Sequence, residues 1–418
     1  MSKGRESKPH IGIFGRRNNG KSALINALAQ QEVAIVSDIA GTTTDPVKKT
    51  MEWSGIGPVI LVDTAGIDDL GDLGAKRVKR TLAILRTIDL AVLVIAQNRF
   101  DEYERNLIQE FNSGSIPFVI VHNKADLCPI DGSLKAYLKT TFQTEVLDFC
   151  SLNPTNYEEL VKAIQKRMPL TTLQKESLLG GIIANGDVVL LITPIDSEAP
   201  EGRMILPQVQ AIRDILDNGC VALVARETEV ESLLTVLHPT PALVITDSQI
   251  FGKANAMVPK DIPLTSFSIM LARHKGDFKN YLKGTPAIDQ LVDGNRVLIL
   301  ESCSHHVSCD DIGRFKIPRW MRQYTGKELE FEVVAGLGDL PRPVTDYSLV
   351  VQCGGCIITR RQVMGRLKAA ADAGVPVTNY GMAIAWMHGI YSRAVAPFLE
   401  GKQAKKEMIG NWKDAAIP

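Results

Sequence analysis

Apolar positions in the first part of the chain fall in short, nearly unbroken blocks. Residues 10–14, 59–63, 89–95 and 117–122 are rich in Ile, Val, Leu and Phe. Blocks of this kind fit parallel strands that are covered on both faces. Between them the pattern changes to a helical period. Residues 21–30 put Ala23, Leu24, Ala27 and Leu28 on one face, and similar stripes run at about 74–87, 101–112 and 156–167. The alternation predicts a doubly wound α/β domain, whose ligands should gather at the carboxyl ends of its strands.

Pro169, the Thr171-Thr172 pair and Gly180-Gly181 then interrupt the periodicity. A second, smaller α/β pattern follows, with strands at 187–193, 220–224 and 241–245 and helices near 206–216 and 227–237. A third block carries strands at 296–300 and 348–352. We read three α/β units, at residues 1–170, 180–262 and 263–418. The middle one shows no paired acids, metal cluster or nucleophile with a base. It reads as an oligomerisation module, in which an edge strand seeks a partner and a homodimer is expected.

Composition narrows the picture. The 418 residues, at about 150 per domain, agree with two to three units. Lys+Arg and Asp+Glu are both 47, so the basic excess of a nucleic-acid or anionic-membrane partner is missing. The run Lys76 to Arg80 has helical spacing and reads as a solvated face. Met1–Pro9 is polar, without the apolar core of a signal peptide, and no apolar run is long enough to span a bilayer. A cytoplasmic protein is expected. In that compartment the seven cysteines point to metal or buried roles rather than disulfides.

Candidate chemistry begins after the first strand. Gly15-Arg-Arg-Asn18-Asn19-Gly20-Lys21-Ser22 fits G-x-x-x-x-G-K-[ST] without a mismatch and opens the first helix at Lys21-Ser22-Ala23. Glycines let backbone N–H groups curl around a phosphate at a helix N-terminus, where partial positive charge favours an anion. Lys21 would face the β- and γ-phosphates and Ser22 would ligate Mg²⁺. Asp63-Thr-Ala-Gly66 closes the next apolar strand. Its carboxylate can hold Mg²⁺ through water, and the Gly66 N–H can sense a γ-phosphate. In Gly41-Thr42-Thr43-Thr44-Asp45 a loop threonine, Thr42 or Thr43, can complete the Mg²⁺ shell. Asn123-Lys124-Ala-Asp126 supplies donors and acceptors that select guanine, and Ser151-Leu152 is a weaker match to a last base-contacting loop. The four signals in this order define a P-loop domain for GTP. It resembles the translation-factor-like GTPases related to Era and the tRNA-modification GTPase.

Ile67 follows Gly66, where Ras-like enzymes orient the attacking water with Gln, and a hydrocarbon side chain cannot do that. The resemblance implies a substitute: a potassium ion on a phosphate-loop Asn, here Asn18. The residue-level alternative is that Asn18 merely satisfies a tight turn. The same resemblance places a water-positioning acid at Asp69.

The third block brings a second signal. One strand runs into Cys303-Ser-His305-His306, and another into Cys353-Gly-Gly-Cys356. Three readings are open on spacing alone: a Cys₃His zinc site, a redox dithiol, or an iron–sulfur cluster with three thiolates and a variable fourth ligand. The combination of a GTPase domain, a second α/β block and this pattern resembles the [FeFe]-hydrogenase maturation GTPases, over essentially the whole chain. That resemblance implies a [4Fe–4S] cluster on Cys303, Cys353 and Cys356. It also implies a carried di-iron precursor, apo-[FeFe]-hydrogenase as recipient, and radical-SAM maturases as further partners. The family often has His before its Cys-x-x-Cys, and here Gln352 stands there. The fourth ligand is left among His305, His306, Asp310, Asp311 and an exchangeable small molecule. The alternative function is a regulatory GTPase with a structural zinc site.

Overall fold

The computed structural model describes residues 8–30, 47–53, 57–64, 84–154, 156–169, 177–195, 204–302 and 311–399. The chain divides into two compact units, residues 1–175 and 176–418.

The first unit holds a six-stranded sheet. Its strands are β1 (His10–Phe14), β2 (Val47–Trp53), β3 (Gly57–Asp63), β4 (Leu90–Ala96), β5 (Phe118–Asn123) and β6 (Val146–Asp148), in the order β2-β3-β1-β4-β5-β6. All neighbours are parallel except β2 and β3. β4 is buried along its whole length, as its unbroken apolar run requires. Helices Lys21–Gln30 and Tyr157–Arg167 belong to a core layer different from that of helix Glu102–Ser113, so the sheet is covered on both faces. The apolar blocks predicted the parallel strands. They missed β2, whose Val-Lys-Lys-Thr sequence lacks an apolar run, and the helix Gly132–Phe142. Of the helical stripe expected at 74–87, only residues 84–87 are among those described, with a helical Ile84 and Leu85.

The second unit contains two four-stranded sheets. One has β7 (Val188–Ile192), β8 (Val221–Ala225), β9 (Leu243–Thr246) and β10 (Leu264–Ser266), in the order β10-β9-β7-β8. The other has β11 (Arg296–Leu300), β12 (Glu330–Val334), β13 (Leu349–Gln352) and β14 (Val377–Asn379), in the order β12-β11-β13-β14. All pairings in both are parallel. The two sheets share one topology. In each, the first strand lies inside, the second flanks it on one side, and the third and fourth lie on the other. Each fourth strand also runs directly into a helix capped by its last residue. Ser266 accepts from Ile269 N at the start of Phe267–Lys275, and Asn379 accepts from Gly381 N at the start of Tyr380–Met387. These helix starts meet, with the Ser268 hydroxyl 3.0 Å from Asn379 Oδ1 and accepting from Gly381 N at 3.1 Å. One hydrophobic core runs through both sheets. The fourth strand of the first of them lies past residue 262, where the sequence pattern had placed a domain boundary.

Candidate functional site

The phosphate loop between β1 and helix Lys21–Gln30 is shaped by its glycines. Gly15 has φ +139°, and a Cβ there would meet Val94 O at 2.2 Å. Gly20 has φ +85°, and a Cβ would meet Asn123 Nδ2 at 2.3 Å. Both positions therefore exclude a side chain on conformational and steric grounds. Asn18 is left-handed, at φ +66°, one of the few conformations that Asn adopts more readily than other L-residues. The buried Lys21 ammonium donates to Gly15 O at 2.5 Å and Arg16 O at 2.9 Å, which fixes the charge inside the loop. Ser22 Oγ donates to Asp63 Oδ2 at 3.1 Å, so the two residues expected at Mg²⁺ are in contact.

Asn123, at the end of β5, binds in two directions. Its amide donates to Asn19 O at 2.9 Å, while its Oδ1 accepts from Ser151 N at 3.2 Å and Ser151 Oγ at 2.8 Å. It thus ties the phosphate loop to the Ser151 loop. Lys124 has φ +62°, Asp126 is exposed, and Leu152 is 87% exposed. Ala23 is half-buried on the first helical turn. Thr42, Thr43, Gly66 and Asp69 lie outside the described residues.

Arg16 is a support that the sequence pattern did not single out. Its guanidinium pairs with Asp101 and the fully buried Glu104 (Nε to Oε1 2.7 Å) and lies over the Tyr103 ring at 4.8 Å. The hydrogen bond to Glu104 raises its pKa above the usual arginine value. Asp101 and Glu104 form the capping box of helix Glu102–Ser113, so the phosphate loop is bolted to that helix N-terminus. The Asp-x-x-Glu spacing was readable; its partner 85 residues away was not.

In the second unit, β11 and β13 flank the point where the strand order reverses, which is where open α/β sheets bind ligands. Leu300 and Gln352 are register partners, so the chain segments after them leave the sheet side by side. There the Cys353 sulfur accepts from Ser302 N at 3.1 Å, Gly355 N at 3.4 Å and Gln352 Nε2 at 3.5 Å, and its thiol donates to Ser302 Oγ at 2.9 Å. Burial raises the thiol pKa, against the lowering effect of the Ser302 and Gly355 contacts. Gln352 Oε1 is buried without a hydrogen-bond partner among the described residues. Gly355 has φ +66°, which the turn to Cys356 uses. Arg366 donates to Glu301 O at 2.8 Å and Val334 O at 3.0 Å at the same sheet end. Asp311, a candidate fourth ligand, caps the following helical turn by accepting from Arg314 N at 2.8 Å. Cys303, His305, His306 and Asp310 lie outside the described residues. Ser302 is the residue before Cys303, and it touches Cys353.

A phosphate loop, an Asp at the end of β3 and an Asn-Lys-x-Asp stretch after β5, on this sheet order, define a P-loop GTPase domain. Its continuation is a pair of α/β units of like topology. Residues 10–124 match the family model described as 50S ribosome-binding GTPase. Residues 178–276 match the hydrogen maturase F dimerization domain, and residues 279–397 its tetramerization domain. The chain belongs to the hydrogen maturase F family.

Curated relatives cover the GTPase part. The tRNA modification GTPase MnmE of Aquifex aeolicus is 36% identical over 160 residues, 38% of this chain and 34% of that protein. MnmE of Chromobacterium violaceum is 40% identical over 119 residues, 28% of this chain and 26% of that protein. The chain thus spans about a third or less of the length of these relatives. Among solved structures, the G domain of the T. maritima FeoB iron transporter aligns at 19% identity over 38% of this chain and 98% of that one, with TM-score 0.31. Aquifex aeolicus Era bound to GDP and aluminium fluoride aligns at 22% identity over 52% and 92%, with TM-score 0.33. Among the described residues no helix is long and apolar enough to cross a membrane.

Proposed function

We propose that this chain is a GTP-hydrolysing scaffold that binds a [4Fe–4S] cluster and carries a di-iron precursor to apo-[FeFe]-hydrogenase. The observation that carries the reading is the meeting of Ser302 and Cys353 at the β11/β13 switch point, with Cys356 three residues on, in a chain that opens with a GTPase domain. The donor set fits the group. Cysteine sulfur is the usual iron–sulfur ligand, and the Ser302, Gly355 and Gln352 N–H groups at the Cys353 sulfur are the hydrogen-bond support that a cluster sulfur takes. Cys303, Cys353 and Cys356 would hold the cluster, with His305 or Asp310 as fourth ligand, and the cluster would supply the docking point for the cargo. Anaerobically purified protein should be brown and carry iron and sulfide. A colourless protein holding zinc would overturn the reading in favour of a regulatory GTPase with a structural metal.

At the nucleotide, Lys21 would bind the β- and γ-phosphates. Ser22, Thr43 and Asp63 would hold Mg²⁺, and Asn123, Lys124 and Asp126 would read guanine, with Ser151 and Leu152 beside it. Asn18 would ligate potassium, and Asp69 would position water. An arginine finger is worth about 10³–10⁵-fold, so even part of that effect makes hydrolysis clearly faster in potassium than in sodium. Asn18→Ala should remove the preference. Equal rates of GTP hydrolysis in the two salts would sink the potassium assignment.

The middle sheet would form a homodimer, consistent with the dimerization model that it matches. Its edge strand β8 leaves Val221 and Val224 49% and 46% exposed. Sedimentation of the full chain should give a dimer that Val224→Lys weakens. A wild-type monomer at high concentration would contradict this.

A further inference from the structure

The Cys353–Cys356 turn rests on a helix that the sequence reading gave no role. Helix Phe267–Lys275 follows directly from β10, the last strand of the middle sheet. It ends in Lys275, which is 7% exposed. Its ammonium donates to Gly355 O at 2.8 Å, Ile358 O at 2.9 Å and Cys356 O at 3.0 Å. An ammonium has three protons to give, and three carbonyls of one short turn take them. The same face touches the rest of the turn at helical spacing. A Cβ on Gly354 would lie 3.5 Å from Leu271 Cδ1 and 3.7 Å from Ser268 Oγ. Ser268 also bonds Asn379, whose amide donates to Gln352 O at 3.2 Å. Ser268, Leu271 and Lys275 therefore form one stripe under residues 352–358.

Peptide planarity gives this clamp a chemical consequence. In a trans peptide the C=O and the next N–H point in opposite directions. With the Gly355 and Cys356 carbonyls turned to Lys275, the N–H bonds of Cys356 and Ile357 point to the other side of the turn. Gly355 N–H already reaches the Cys353 sulfur. Successive N–H groups on one side of a turn make a concavity suited to an anion or to thiolate sulfur.

We propose that Lys275 is a positioning residue of the metal site: it sets the Cys353–Cys356 turn in its metal-binding form before a metal arrives. This inference rests on the reading of that turn as a metal site. Because the helix is the continuation of β10, it also makes the middle sheet part of the site's support.

The test uses the full chain and cobalt(II) as probe, followed by its sulfur-to-cobalt charge-transfer absorption. Lys275→Met should bind cobalt about 10–100-fold more weakly, the usual cost of losing a supporting partner, with a shifted band. Lys275→Gln, which keeps two N–H donors, should fall between and guards against a misfolded methionine variant. A second arm needs no metal. Alkylation of Cys353 relative to Cys128 in the metal-free native protein, read by mass spectrometry, should rise about tenfold in Lys275→Met as local opening becomes easier. Unchanged cobalt affinity and alkylation in both variants would overturn the proposal. If wild type binds no cobalt, the metal reading falls, and the alkylation ratio still decides whether Lys275 fixes the turn.

Discussion

Replacing Cys353 or Cys356 by Ser should strip the chain of the iron–sulfur cluster proposed for it. Each change exchanges a soft thiolate for a hard hydroxyl that stays protonated at neutral pH, a poor ligand for cluster iron. The loss should exceed the about 10–100-fold typical for a supporting partner, because a direct ligand is removed. The Cys353 sulfur gathers the Ser302, Gln352 and Gly355 donors, and the backbone carbonyl of Cys356 accepts from Lys275, so both cysteines are held in one turn. Iron and sulfide analysis after anaerobic reconstitution measures the effect, and Cys128→Ser serves as control. Wild-type cluster content in both variants would place the cluster elsewhere.

Lys21→Ala should abolish GTP hydrolysis, with a fall of at least about 10²–10³-fold, the usual cost of removing one preorganised group that stabilises developing charge. The geometry adds a second cost. Lys21 holds the loop closed through Gly15 O and Arg16 O, so the substitution loosens the cradle as well as deleting the charge. Phosphate release under saturating GTP gives the rate. Asp126→Asn separates chemistry from base selection, since it should relax guanine preference without touching the phosphate loop. A Lys21→Ala protein with wild-type turnover, or a wild type that hydrolyses ATP as readily as GTP, would refute the nucleotide assignment.

The GTPase half was largely legible because its signals are local. The phosphate-binding loop is eight consecutive residues, and its neighbours announce a strand and a helix by period alone. The middle sheet was legible as strands and helices, but its extent was not. β10 is only Leu264–Ser266, too short to show a period, and it merges at once into a helix. β14, Val377–Asn379, escaped for the same reason. β2 escaped because an antiparallel edge strand buries less and so tolerates Lys48-Lys49.

By itself, then, the sequence determined the P-loop GTPase class and the alternating α/β layers, and it named the cysteines proposed here as sulfur donors. Each of these is written in adjacent residues or in a short repeat. Only the tertiary structure decided which distant groups meet. It paired Arg16 with Glu104, tied Asn123 to both Asn19 and Ser151, laid Ser302 against Cys353, and drove Lys275 under the turn at Cys356. A single polar residue with a partner some 80 positions away leaves no periodic trace. Its role is set by strand order and parallel register, and those follow from how the apolar faces pack.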